Sequence, residues 1–155
     1  MLNTIINIVH ILSTAVWIGG AFFIHFVLQS SFKQIDPQQS GKLMGIISKR
    51  FSITAWICIV LLIITGYLKT PHALLFNFTT DVGLYLAIKH LLIILVVVSG
   101  LVIGLYVVPN LRKSAPTIGE APSATFIQYQ KKLSNLATFN LLLGILIVVF
   151  ASLLW

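Results

Sequence analysis

Four stretches of this chain are apolar almost without interruption, and polar, turn-forming segments separate them. They run over about residues 2–29, 51–70, 82–108 and 133–155, and each is about as long as the ~20 residues that cross a bilayer as a helix. Inside hydrocarbon every backbone amide must be satisfied within its own segment or in a closed barrel, and the alternation of a barrel strand is absent. The pattern predicts an all-α fold, an integral membrane four-helix bundle, with one transmembrane domain over 1–155. The segments FKQIDPQQSGK, KTPHALLFNFTTD and PNLRKSAPTIGEAPSATFIQYQKK read as loops, and no internal repeat is evident. The first stretch has no basic segment before it and no small-residue cleavage pattern after it, so it reads as a retained helix.

Composition agrees: 58% of residues are hydrophobic and 8% charged, against roughly 25% charged in a soluble domain. The formal charge of +7 does not point to nucleic acid, because the basic residues form no dense run with interleaved aromatics. They act as topology signals. Lys33, Lys42, Lys49 and Arg50 follow the first helix, and Arg112, Lys113, Lys131 and Lys132 follow the third, whereas only Lys69 follows the second. The positive-inside rule then puts both termini outside the cell membrane, with helices 1 and 3 running inward.

Hydrolytic chemistry has no basis here. Asp36, Asp81 and Glu120 all fall in loops, and no nucleophile elbow, HExxH pair or phosphate-binding glycine loop occurs. Cys58, the single cysteine, can form neither an internal disulfide nor a CxxC site and reads as a small packing residue.

Histidine remains. His10, His25 and His90 fall within membrane segments, where ionisable side chains are rare and usually functional. His10 and His90 each lie about eight residues into their helices, roughly 12 Å of rise from the same membrane face. Asn3, Asn7, His10, Thr14, Trp17, Ala21 and Ile24 form one stripe of helix 1. Gly83, Ala87, His90, Ile94, Val97, Leu101 and Gly104 form a stripe of helix 3 that alternates small and branched residues. Two imidazoles at one depth can hold a flat ligand between them, which suits a b-type haem with His10 and His90 on its iron. Trp17 then forms a pocket wall, and Lys69, Lys89 and His72 meet the propionates. The bland alternative is that each imidazole only hydrogen-bonds a neighbouring helix. His25, about 22 Å deeper, and His72, in a loop after Pro71, are lesser metal-ligand candidates.

Such a haem would exchange electrons with a donor, or bind and turn over O2 or NO, making a haem-dependent oxidoreductase one outcome. A copper ion on the histidines is the alternative. Lipid is the expected surroundings. Gly19, Gly20, Gly100, Gly104 and Gly144 are expected to permit close packing, with a homodimer interface at GLVIG (100–104) as the sharper reading. Trp56, Tyr85, Tyr106 and Trp155 read as interface anchors.

The run HILSTAVWIGGAFF at 10–23 resembles the opening helix of CopD-like copper-resistance membrane proteins and of HemJ-type protoporphyrinogen oxidases, and ITGYL at 64–68 and IKHLLIIL at 88–95 add to it. The resemblance implies a four-helix membrane fold with copper handling, or haem b binding with roles for His10 and Lys89. FFIHF at 22–26 stands where the oxidases carry a Tyr-Leu-Pro-Arg run, so porphyrinogen oxidation is not the leading expectation.

Overall fold

The computed structural model describes residues 1–34, 36–70, 80–116 and 120–154, without side-chain positions for Lys33, Pro37 and Gln38. The described chain is four long helices: α1, Leu2–Ser31; α2, Pro37–Lys69; α3, Asp81–Lys113; and α4, Ala124–Ser152. All four are long and apolar enough to cross a membrane. Their outward faces carry large apolar side chains such as Ile8, Ile11, Ile57, Ile64, Leu91 and Leu142, each more than half exposed, the inverse of a protein solvated by water. The protein is an integral membrane protein of all-α class.

The helices begin where local chemistry supplies acceptors for their first amides. Asp36 precedes Pro37, and its Oδ1 accepts from the Gln39 amide at 3.1 Å, while proline at the first helical position gives up an amide that would have lacked a partner. Thr80 Oγ1 accepts from the Gly83 amide at 3.2 Å, and Ser123 Oγ from that of Phe126 at 3.2 Å. These caps correct the expected boundaries. α2 begins at Pro37 rather than 51, α4 at Ala124 rather than 133, and α3 continues through Pro109 to Lys113. Hydropathy marks only the part of a helix that sits in hydrocarbon, whereas helix formation continues into KLMGIISKR and TFIQYQKK. At 33 residues α2 is about 50 Å long, against ~30 Å of bilayer core. Trp56 and Tyr106 consequently lie inside helices rather than near their ends, and Tyr106 belongs to a π-helical turn.

Two such turns interrupt the α-helical hydrogen bonding: Phe23–Leu28 in α1 and Ile103–Val107 in α3. In α3 the cause is Pro109, which has no amide to give to the carbonyl four residues earlier. In α1 the hydroxyls of Ser30 and Ser31 take the Phe26 and Val27 carbonyls at 2.7 to 2.9 Å, competing with the backbone ladder.

The chain divides into two hairpins, Met1–His72 and Ala73–Trp155. In the first, α1 packs antiparallel on α2: His10 meets Thr65 near one end, and Gly20 meets Phe51 further along. The expected inward stripe of α1 holds from Asn7 to Ile24, where every member is half-buried. In the second hairpin, α3 packs on α4 through Leu86, Val96 and Val107 against Leu141, Leu143 and Gly144. The Ser99 hydroxyl donates to Asn140 Oδ1, satisfying two polar side chains across that interface. The inward face of α3 differs from the expected stripe, because Ile94 and Leu101 are exposed. The two hairpins share a plan that periodicity alone does not announce, since each first helix carries a histidine, His10 or His90, 13 residues before its π-helical turn begins.

Only some of the glycines expected to pack do so. A methyl group on Gly19 or Gly104 would meet nothing within 4 Å among the described residues, so neither glycine is required by a close neighbour there. A Cβ on Gly20 would stand 2.5 Å from Phe51 Cε2, so any larger residue must displace that ring. Gly20→Val should therefore cost about 1–3 kcal/mol, read as a lower unfolding midpoint in detergent, with Gly19→Ala unchanged. Partial recovery in Gly20→Val/Phe51→Ala would locate the strain at the ring. Equal loss from both single variants would place it in the helix backbone.

Candidate functional site

His10 sits on the α1 face that meets α2, and its Nδ1 lies 2.7 Å from Thr65 Oγ1. The Thr65 hydroxyl already donates to the Leu61 carbonyl at 2.6 Å, so its oxygen is the acceptor and His10 Nδ1 carries the proton. In the neutral imidazole this leaves the lone pair on Nε2. Thr65 is buried, and a Cβ on Gly66 would lie 3.7 Å from His10 Cε1, so the ring rests against bare backbone. Thr65 and Gly66 together form its seat.

His90, in α3 of the second hairpin, reaches the same state by another route. Its Nδ1 donates to the Leu86 carbonyl of its own helix at 2.7 Å, and a carbonyl can only accept. Its lone pair is also on Nε2. Fixing one imidazole nitrogen by a hydrogen bond so that the other can bind an ion is the usual preparation of a metal-ligating histidine.

The remaining sequence candidates fall around these two. Trp17 is half-buried two turns beyond His10 on the α1 stripe. His25 lies in the π-helical turn with its ring edge on Phe26, centroids 4.8 Å apart at 85°, and its buried Nδ1 makes no hydrogen bond among the described residues. Cys58 is buried and lies midway between Phe51 and Thr65, seven residues from each, which places its thiol on the α2 face toward α1. Lys69 lines a cleft of about 250 Å³ with Asn3, Ile6, Asn7 and Leu68. Lys89 is half-buried in α3 beside His90. His72 lies outside the described residues. Among the described residues, no three histidine, cysteine or carboxylate side chains converge into a metal-holding group.

Sequence reasoning missed Thr65, because a threonine in an apolar run ordinarily returns its proton to its own helix and reads as neutral. It does so here, and that is why its oxygen is left to accept. The available signal was ITGYL, where a hydroxyl and a glycine adjoin on a helix that must face a histidine. Ser99 and Asn140 were missed similarly, and they pair with each other.

The family description "Copper resistance protein D" (CopD) matches residues 46–154, most of the chain, from within α2 through α4. The protein belongs to the CopD family. The match includes Thr65, Lys69, Lys89 and His90, while α1, with His10 and His25, precedes it. Comparison with curated proteins gave no match, nor did comparison with solved structures.

Thr65→Val should leave the His10 Nδ1 proton without its acceptor. The expected cost is about 1–3 kcal/mol of stability, with a mixture of imidazole tautomers in nitrogen NMR of labelled histidine. Thr65→Ser should keep the single Nδ1–H form. An unchanged tautomer in the valine variant would show that the hydroxyl does not set it.

Proposed function

We propose that this protein binds copper within the membrane and moves it between the two aqueous faces, with His10 and His90 as imidazole ligands. The observation that carries the reading is that both intramembrane imidazoles have their Nδ1 held against an acceptor, which in the neutral ring puts the lone pair on Nε2, the tautomer a metal-ligating histidine uses. Neutral imidazole is a good copper ligand, and copper stands at the top of the divalent affinity order, so geometry need not be elaborate. Cys58, on the α2 face toward α1, adds a soft donor suited to the reduced ion. Membership of a family described by copper resistance agrees with this chemistry.

The direction of the helices follows from charge. Lys42, Lys49 and Arg50 lie toward the turn of the first hairpin, and Arg112, Lys113, Lys131 and Lys132 toward that of the second. We place both turns on the cytoplasmic side and both termini outside. Single cysteines introduced in a Cys58→Ser background at Gln39 and at Leu2 report this directly. Labelling of Gln39→Cys by an impermeant reagent in intact cells would reverse the orientation.

A neutral imidazole nitrogen of this kind also suits the iron of a b-type haem, which is the second reading, with electron exchange or O2 and NO binding as its chemistry. Purified protein separates the two: a haem gives a Soret band, and copper does not. For copper, His10→Ala and His90→Ala should each weaken binding at least about tenfold in competition with a chromogenic chelator, and each should slow uptake into proteoliposomes. Unchanged affinity in both variants would refute the assignment.

A further inference from the structure

Two aromatic pairs tie α3 to α4 in the second hairpin. Tyr85 meets Phe150 with ring centroids 6.2 Å apart, and Tyr106 meets Tyr129 at 6.1 Å. From 85 to 106 on α3 and from 129 to 150 on α4 is 21 residues, about 31 Å of rise, which matches the ~30 Å of a bilayer's hydrocarbon core. Aromatic rings gather at the two boundaries of that core. The spacing therefore puts the Tyr106–Tyr129 pair at the depth of the lipid headgroups.

The hydroxyls of that pair stand 3.5 Å apart, and the Lys132 ammonium lies over the Tyr129 ring, 5.3 Å from its centre. Whichever hydroxyl donates within the pair, the other keeps its own proton for a further acceptor. An ammonium over a ring face likewise still has N–H groups to donate. Between residues 104 and 140 the chain carries Arg112, Lys113, Lys131 and Lys132 against the single carboxylate Glu120, so the complement of this end is an anionic oxygen. Toward the membrane centre, Val102 and Val98 follow Tyr106 at about one-turn steps along α3, and they are 41% and 51% exposed. An apolar track thus leads away from the polar cluster. Free phosphate suits the cluster alone, whereas a molecule that is anionic at one end and hydrocarbon at the other suits both.

We propose that Tyr106, Tyr129 and Lys132 form a site for the phosphodiester of an anionic phospholipid, with an acyl chain lying along Val102 and Val98. The outward tyrosine proton and the ammonium donate to the phosphate oxygens, and the surrounding positive charge disfavours a headgroup that carries its own cation.

The test titrates the full chain in dodecyl maltoside with phosphatidylglycerol or phosphatidylcholine and counts bound lipid by native mass spectrometry. Wild-type protein should prefer phosphatidylglycerol about fivefold, the scale of one basic residue beside anionic lipid. Lys132→Gln should remove that preference and Lys132→Arg should keep it. Changing both tyrosines, Tyr106→Phe with Tyr129→Phe, should weaken both lipids, because the phosphodiester is common to them. Lys131→Gln removes the same charge about 100° round the helix and should change the preference less than about twofold. Equal loss from Lys131→Gln and Lys132→Gln would assign the preference to surface charge at large and overturn the site. So would equal affinity of wild-type protein for the two lipids. Glycerophosphoglycerol, the headgroup without its chains, separates a soluble source of the anion: displacement of the lipid at equal concentration would overturn the phospholipid assignment, and lipid retained against about a hundredfold excess supports it.

Discussion

An imidazole placed in hydrocarbon must find an acceptor for its N–H, and the choice of acceptor decides which nitrogen remains for chemistry. In the first hairpin the acceptor is Thr65 Oγ1, and it can accept because the Leu61 carbonyl has taken its own proton. This short chain of bonds joins α1 to α2, sets the tautomer of His10 and fixes the ring against Gly66. The approach of Gly20 to Phe51 marks the same antiparallel pairing further along the hairpin.

The same demand for satisfied polar groups runs through the molecule. Thr14, Thr70 and Thr138 return their hydroxyl protons to carbonyls four residues earlier, and the Ser99 hydroxyl lies against both the Val96 carbonyl and Asn140. Where a proline withdraws an amide, or two serines compete for carbonyls, the helix widens into a π-helical turn rather than breaking. His90 obeys the rule most locally, using the Leu86 carbonyl of its own turn. Its Nδ1 acceptor comes from its own helix, whereas that of His10 comes from α2.

Much of the fold was legible because hydrocarbon permits so few solutions. Four apolar runs could become only four helices, and the α1 stripe from Asn7 to Ile24 faces inward as its polar members require. The ends of α2 and α4 were not legible from apolarity, since KLMGIISKR and TFIQYQKK continue as helix beyond the apolar runs, held by Asp36 and Ser123 at their starts. The α3 face was legible only in part: Gly83 of the expected stripe is buried, but Ile94 and Leu101 are exposed, and Val96, Ser99 and Val107 make the core instead. At the candidate site the histidines stood out by rarity. Thr65 did not, because its role depends on a partner 55 residues away.

Thr65 also closes a door. Its proton ends on the Leu61 carbonyl, which can accept a hydrogen bond but cannot carry a proton onward, so the chain of bonds behind His10 is a dead end rather than a wire. A neutral His10 protonated at Nδ1 can take a second proton only at Nε2, the atom to which the copper reading assigns the ion. Protons and cations must therefore compete for one lone pair. On the copper reading, acidification would weaken the ion's hold at this nitrogen without any change in the fold.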